Sequence, residues 1–185
     1  MQNNWLKTEK ILKEGGVAVI PTDTLYGLVA SVFNKRAVEK IYKIKERDKS
    51  KPFIVLISSV AQLKDFGIKD DFAKIFKPQV SILLKCKSNK FKYIHRGTGE
   101  IAFRLISKRN KNLYELINRV GPVVAPSANK ESEKPAETRA EAKKYFGESV
   151  DLYIDGGKKI GEPSTLIRLK DGKIDVLRQG KVKIN

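Results

Sequence analysis

The stretch Val17-Ala18-Val19-Ile20-Pro21-Thr22-Asp23-Thr24-Leu25-Tyr26-Gly27-Leu28 decides how this chain folds. Its apolar, β-branched start reads as a strand, and Pro21 prevents that strand from continuing as a central ladder. Three short polar side chains follow, Thr22, Asp23 and Thr24, then Tyr26 and a permissive glycine. Ala37, Val38, Ile41, Tyr42 and Ile44 next share one face of a helix expected over 36–46. That helix delivers Lys45-Glu46-Arg47, with Lys49 and Lys51 just behind, and Pro52 opens the apolar run 53–57. The expected order is strand, polar turn, helix, basic cluster, strand. Hydroxyls facing a cluster of cations suit a polyanion such as the phosphate chain of a nucleotide.

Working outward, Thr8 is placed to cap a short helix that runs to Glu14 and stops at Gly15-Gly16. Downstream, Ser59 opens a short helix ended by Gly67, and Asp70-Asp71 opens another before Pro78. Strands are expected over 80–86, 101–106, 123–125 and 152–154, helices over 110–120 and 138–146, and a loop with a strand edge over 87–96. Residues 130–137 are polar and free of glycine, the best candidate for a mobile loop. Lys170-Asp171-Gly172 between two apolar runs is a hairpin signature. Interleaved strands and helices ending in a hairpin predict an α/β fold with a mixed, twisted sheet, in one domain over 1–185.

The chain has 185 residues, 41% hydrophobic and 32% charged, enough apolar material for a real core in one soluble domain. Cys86 is the only cysteine and sits in an apolar run. It reads as a core residue, excludes a disulfide framework or a cysteine-rich metal site, and fits a reducing cytosol. No signal-peptide core and no membrane-length apolar run is present, so a cytoplasmic protein is expected. The net charge of +17 points to polyanions: nucleic acid, nucleotides or an anionic membrane face. Lysine used as generic surface filler explains the same number equally well, because the lysines are scattered.

Several chemistries are set aside by what is missing. There is no GxxxxGK[ST] phosphate loop, since Gly156-Gly157-Lys158-Lys159-Ile160-Gly161 has the residue types in the wrong order. Gly97-Thr98-Gly99 lacks the third glycine of a dinucleotide fingerprint and reads as a turn. His95 is the only histidine and has no acidic neighbour in sequence, which argues against a triad hydrolase. Three other strand ends empty into polar residues as the opening one does: Ser127-Ala128-Asn129, Ser164-Thr165 and Arg178-Gln179-Gly180. Arg104 interrupts an apolar strand and needs a partner if it points inward; an edge position is the alternative.

Together these segments resemble the YrdC-like family of threonylcarbamoyl-AMP synthases over about 15–180. Residues 21–28 look like the family's PT[DE]TxYGL, Lys45-Glu46-Arg47 with Lys51-Pro52 like its KxR…KP, and Ser127-Ala128-Asn129 like its SxN. Residues 161–167 look like its GxxSTI and 177–180 like its LRxG. The resemblance implies an ATP-dependent nucleotidyltransferase that joins ATP, L-threonine and bicarbonate into threonylcarbamoyl-AMP and pyrophosphate, with Mg2+ accompanying the ATP. The product then serves tRNA modification through partner proteins. By the same resemblance Lys45, Arg47 and Lys51 are catalytic, and Arg47, Lys51, Asn129, Thr138 and Arg178 bind ATP. Thr22, Thr24, Tyr26, Arg104, Ser127 and Ser164 surround the threonine, with Arg104 on its carboxylate. No protein metal ligand is implied. The sequence departs from the family at Asp48, where proline is common, at Leu56, where some members have histidine, and over 130–135. The alternatives are an RNA-binding protein on the same fold, holding tRNA or rRNA through its basic surface without chemistry, and a hydrolase-like relative.

Overall fold

The structure is a computed structural model that describes residues 2–69, 75–86, 88–170 and 173–184. The opening strand is β1 (Ala18–Pro21), and the polar residues after it turn the chain straight back into β2 (Tyr26–Ser31). The expected order of strand, polar turn and helix therefore lacks a strand. All six residues of β2 are buried, so no alternation of apolar and polar residues marks it. Only then comes α2 (Lys35–Ile44), whose Asn34 cap accepts the Ala37 N–H at 3.0 Å and whose buried face is Ala37, Val38, Ile41 and Tyr42.

The first helix, α1 (Gln2–Lys13), starts earlier than expected. Thr8 lies in its middle, fully buried, and its hydroxyl donates to the Asn4 carbonyl at 2.8 Å instead of capping. After β3 (Ile54–Ile57) comes a 3-10 turn, Val60–Phe66, and after β4 (Val80–Lys85) a second one, Asn89–Phe91, leading into α3 (Lys92–His95). A loop and strand edge were expected there. Phe91 and Ile94 are buried at helical spacing and hold the segment down as a helix instead. Next are β5 (Glu100–Leu105), α4 (Lys111–Val120), β6 (Val123–Val124), α5 (Arg139–Phe146), β7 (Leu152–Tyr153), β8 (Thr165–Lys170) and β9 (Lys173–Arg178). The helix expected from Asp70 and the tip of the last hairpin, 171–172, fall wholly or partly outside the described residues. The strands flanking that tip pair antiparallel as the hairpin signature requires.

Among the described residues nine strands form one sheet in the order β7-β1-β2-β6-β3-β5-β4-β8-β9. Three pairs are parallel, β1 with β7, β3 with β5 and β4 with β8, and the others antiparallel. The mixed α/β sheet flanked by helices is the fold class expected. One face carries the larger core, in which Leu28, Val55, Phe103 and Ile82 pack with α2, α5, Phe66 and Phe91. On the other face α1 and α4 cover β1, β2, β6 and part of β3 through Leu12, Leu113, Leu116 and Ile117. The helices stop there. The rest of this face, over β5, β4 and β8, is left uncovered and becomes a cleft. No helix among the described residues is long and apolar enough to cross a membrane.

Candidate active site

The cleft has a volume of about 370 Å³. Its floor is fixed by strand register. Arg104 on β5 lies between Leu56 on β3 and Ser81 on β4, and the same row runs on through Leu166 on β8 to Arg178 on β9. Two positions along, Ala102 lies between Ile54 and Leu83, with Arg168 beyond. Apolar residues therefore make the floor, and three arginines stand out of it.

Arg104 does point inward. Its guanidinium meets Asp23 at 2.9 Å, and both side chains are about 5% exposed. The contact is off the line of a good hydrogen bond: neither Asp23 Oδ1 nor Arg104 Nε has a hydrogen-bond partner. Burial pulls the Arg104 pKa down and the Asp23 charge opposes the pull. A buried donor without a partner, at the bottom of an open cleft, is free to bind a ligand.

The turn between β1 and β2 forms one wall. The Thr22 hydroxyl donates to the Leu25 carbonyl at 2.6 Å and lies 3.3 Å from the Thr24 hydroxyl. Gln79 grips the turn from the β4 side through the Asp23 carbonyl at 2.8 Å. Gly27 is required here, because a Cβ would stand 2.8 Å from the Thr22 methyl. Tyr26 lines the cleft, but its hydroxyl faces away, donating to Gly157 O and accepting from Gly156 N, each at 2.8 Å.

Ser127-Ala128-Asn129 runs beside β2 as a continuation of β6, with Gly27 opposite Ser127. Ser127 lines the cleft and donates to the Asn129 side-chain oxygen at 2.6 Å. The Asn129 amide donates to the carbonyls of Lys130 and Glu133 at 2.7 and 2.8 Å, so this side chain is spent on shaping the loop. Lys45 is spent likewise. Its ammonium is buried and donates to Ser127 O at 2.6 Å and to Asn129 O. Burial, reinforced by the Arg47 charge, lowers the Lys45 pKa to about 7.

Lys45 ends α2, and the chain turns there by a Schellman motif: Glu46 N donates to Lys43 O and Arg47 N to Tyr42 O, with Glu46 at φ 55°. This turn carries Arg47 to the cleft, where its guanidinium lies 5.5 Å over the Phe53 ring. Lys51 is out at the rim and pairs with Glu131 at 2.5 Å. Opposite, Arg178 donates to Ser164 O at 2.9 Å, and the buried Ser164 and Ser81 hydroxyls are 2.8 Å apart. Burial, then Arg104 and Arg47, push the Arg178 pKa down. Gly180 lets this corner close, since a Cβ there would come within 2.1 Å of Pro163 O.

Thus Thr22, Thr24, Tyr26, Arg47, Arg104, Ser127, Ser164 and Arg178 line one cleft. Lys45, Asn129, Lys51 and Thr138 are outside its lining. Thr138 caps α5, its hydroxyl accepting from Glu141 N at 3.2 Å. Leu56 is buried in the second core. Sequence reading missed Asp23 as a site residue, although the need of Arg104 for a partner and a carboxylate among the turn hydroxyls together point to it. It also missed the Glu100–Arg168 pair, 2.8 Å, at the far end of the floor, which carries no local signal. His95 is structural: its Nδ1 accepts from Gly97 N and Gly99 N at 3.2 Å each. No group of three or more His, Cys, Asp or Glu side chains among the described residues is arranged to hold a metal ion.

A family model for Sua5, YciO and YrdC, described as telomere recombination, matches residues 10–180. The threonylcarbamoyl-AMP synthase of Bacillus subtilis is 33% identical over 182 residues, covering 93% of this chain and 52% of that protein. A Methanocaldococcus jannaschii relative is 30% identical, covering 95% of this chain and 85% of that one. The crystal structure of Pyrococcus abyssi Sua5 complexed with L-threonine superposes with a TM-score of 0.85 at 28% identity, covering 95% of this chain and 54% of that one. The chain thus spans about half the length of the B. subtilis and P. abyssi proteins. With the family model matched from residue 10 to 180 and the fold in agreement, this chain belongs to the Sua5/YciO/YrdC family.

Proposed function

We propose that this protein is an L-threonylcarbamoyladenylate synthase, an ATP-dependent nucleotidyltransferase that uses L-threonine and bicarbonate in the cytoplasm. The observation that carries the reading is the convergence of Arg47, Arg104 and Arg178 on one cleft that Thr22, Thr24, Ser127 and Ser164 also line. Among the described residues only Arg104 of the three has a carboxylate partner. Partial burial first, then the Arg104 and Arg47 charges, hold the Arg178 pKa down, so the three cations crowd one another. An anionic amino acid and a nucleotide phosphate chain supply the opposite charge.

In this reading Arg104 takes the threonine carboxylate on its unpartnered Nε side, and Thr22, Thr24, Ser127 and Ser164 meet the polar edge of the amino acid. Threonine carboxylated on its nitrogen then attacks the ATP α-phosphorus through a carbamate oxygen. The new P–O bond gives threonylcarbamoyl-AMP, and the α–β P–O bond breaks to release pyrophosphate. Charge builds on the phosphate oxygens and the leaving group, and preorganised cations stabilise it. Arg47 and Arg178 flank the nucleotide and Lys51 takes the outer phosphates. Lys45 and Asn129 contribute through the loop that they tie in place, and Thr138 through the start of α5. Mg2+ is expected with the ATP. Arg47, Arg178 and Lys51 would share with it the charge of the phosphates.

Delivery of the product to tRNA by partner proteins belongs to the same proposal. The RNA-binding alternative draws on net charge alone and is not favoured by the relatives. The test is pyrophosphate release from ATP, with bicarbonate and magnesium, with and without L-threonine. Threonine-dependent release supports the synthase reading, and serine measures its selectivity. Absence of release in folded, ATP-binding protein overturns it.

A further inference from the structure

The 130–133 turn is pinned onto the segment that follows α2. Glu131 N donates to Lys45 O at 2.9 Å, and Lys130 pairs with Glu46 at 2.5 Å. The Glu131 carboxylate is bound at both oxygens: one meets the Lys51 ammonium at 2.5 Å, the other accepts from the Asp48 backbone N–H at 2.6 Å. Those two donors, the Lys51 ammonium first, hold the Glu131 carboxyl below the usual carboxylate range. The next residue, Ser132, sits at φ 70°, a conformation that L side chains rarely adopt and that costs about 1 kcal/mol or more. A strained turn thus presents an anion to a lysine and a backbone N–H. That pair of donors is what the outer oxygens of a polyphosphate require.

We propose that Glu131 is a built-in competitor for the outer phosphate subsite, and so determines which nucleotide species stay bound. The inference rests on the proposed role of Lys51. A ligand with β- and γ-phosphates must displace the Glu131 carboxylate from Lys51 and from Asp48 N–H. A ligand that ends at the α-phosphate need not. Once pyrophosphate departs, Glu131 returns to Lys51, refills the subsite and opposes rebinding of pyrophosphate. The carboxylate therefore weakens the entry of ATP slightly and makes the departure of pyrophosphate harder to reverse. The Asp48 side chain accepts from the Ser50 N–H and hydroxyl at 2.8 Å each, while its backbone N–H goes to Glu131.

The test is calorimetric titration of ATP, inorganic pyrophosphate and AMP into wild-type, Glu131→Gln and Lys51→Ala proteins. The amide introduced by Glu131→Gln still accepts the Asp48 N–H and removes only the charge, so the turn keeps its shape. Competition predicts that Glu131→Gln tightens pyrophosphate and ATP by roughly three- to tenfold, the range for an exposed ion pair with a charge-assisted hydrogen bond, and leaves AMP unchanged. It also predicts stronger product inhibition by pyrophosphate in the variant. Equal changes for all three ligands, or none, while Lys51→Ala still weakens ATP and pyrophosphate, overturn the competitor role alone. If Lys51→Ala changes neither ligand, the phosphate reading of Lys51 fails and the proposal falls with it.

Discussion

Asp23 and Arg104 meet at 2.9 Å beneath the cleft, the carboxylate supplied by the β1–β2 turn and the guanidinium by the middle of β5. Taking two charges out of water is costly, and removing one partner leaves the other buried and uncompensated. Asp23→Ala is expected to lower the unfolding free energy by about 3–5 kcal/mol, measured by urea denaturation. A loss well under about 1 kcal/mol would mean that the pair is not closed in solution.

Arg104→Lys keeps the charge but loses the planar fork. If Arg104 grips the threonine carboxylate, this change raises the threonine requirement by about ten- to a hundredfold, the equivalent of one charged hydrogen bond of about 1.5–3 kcal/mol. The ATP requirement should move little. Steady-state pyrophosphate release at varied threonine gives the answer, and an unchanged requirement removes Arg104 from the amino-acid pocket.

Arg178 has no carboxylate partner among the described residues, and the other two arginines repel it. Arg178→Ala therefore costs about 1.5–3 kcal/mol at most, for the charged hydrogen bond to Ser164 O, less than the loss of a buried ion pair. If Arg178 holds a phosphate as proposed, ATP binding should fall about tenfold or more with it. Calorimetric titration and a urea curve on the same sample separate the two effects. A variant that binds ATP like the parent would relieve Arg178 of the phosphate role.

The Lys45 amine should titrate near pH 7, well below its ordinary value of 10.5. Between those two values the unfolded chain holds a proton that the folded chain has shed. Stability from this group therefore rises with pH across the window and is lost as the pH falls towards 7. The Cε carbon resonance of Lys45, followed by NMR against pH, reports the midpoint directly. A midpoint close to the ordinary lysine value would show that the oxygens of Ser127 and Asn129 fully offset the burial.

Gly180→Ala tests the corner that holds Arg178. The new methyl has no room against Pro163 O and the Ser164–Thr165 backbone, so the two segments must separate. Overpacking of this kind costs about 1–3 kcal/mol, and synthesis should fall with it because Ser164 and Arg178 lose their contact. Thermal unfolding and threonine-dependent turnover should drop together.

What was legible in the sequence was local. The apolar periodicity over 36–46, the polar turn after Pro21 and the strand that empties into Ser127 each leave a signature within a dozen residues. Arg104 announced a need for a partner but not which one, because Asp23 reaches it only through the pairing of distant strands. β2 was hidden for a physical reason: a strand buried on both faces shows no alternation, and Gly27 within it lets Thr22 approach. Thr8 looked like a cap because capping chemistry is local, whereas its burial against the sheet is not. For Lys45 and Asn129 the residues were picked out by resemblance, but only the structure shows that their polar atoms are turned into the loop.

The sheet pairs Ala18 with Leu152 and Val80 with Thr165, and the cleft draws its lining from segments spread over Thr22 to Arg178. Contacts of such long sequence separation demand that large loops close before any stabilisation is returned, which slows folding. No fragment short of Gly180 carries a complete binding surface. A ligand reaching from Thr24 to Arg178 therefore acts as a non-covalent cross-link between distant parts of the chain. Its binding suppresses opening of the whole molecule, and the protein with substrate bound becomes a poorer target for proteases than the protein without it.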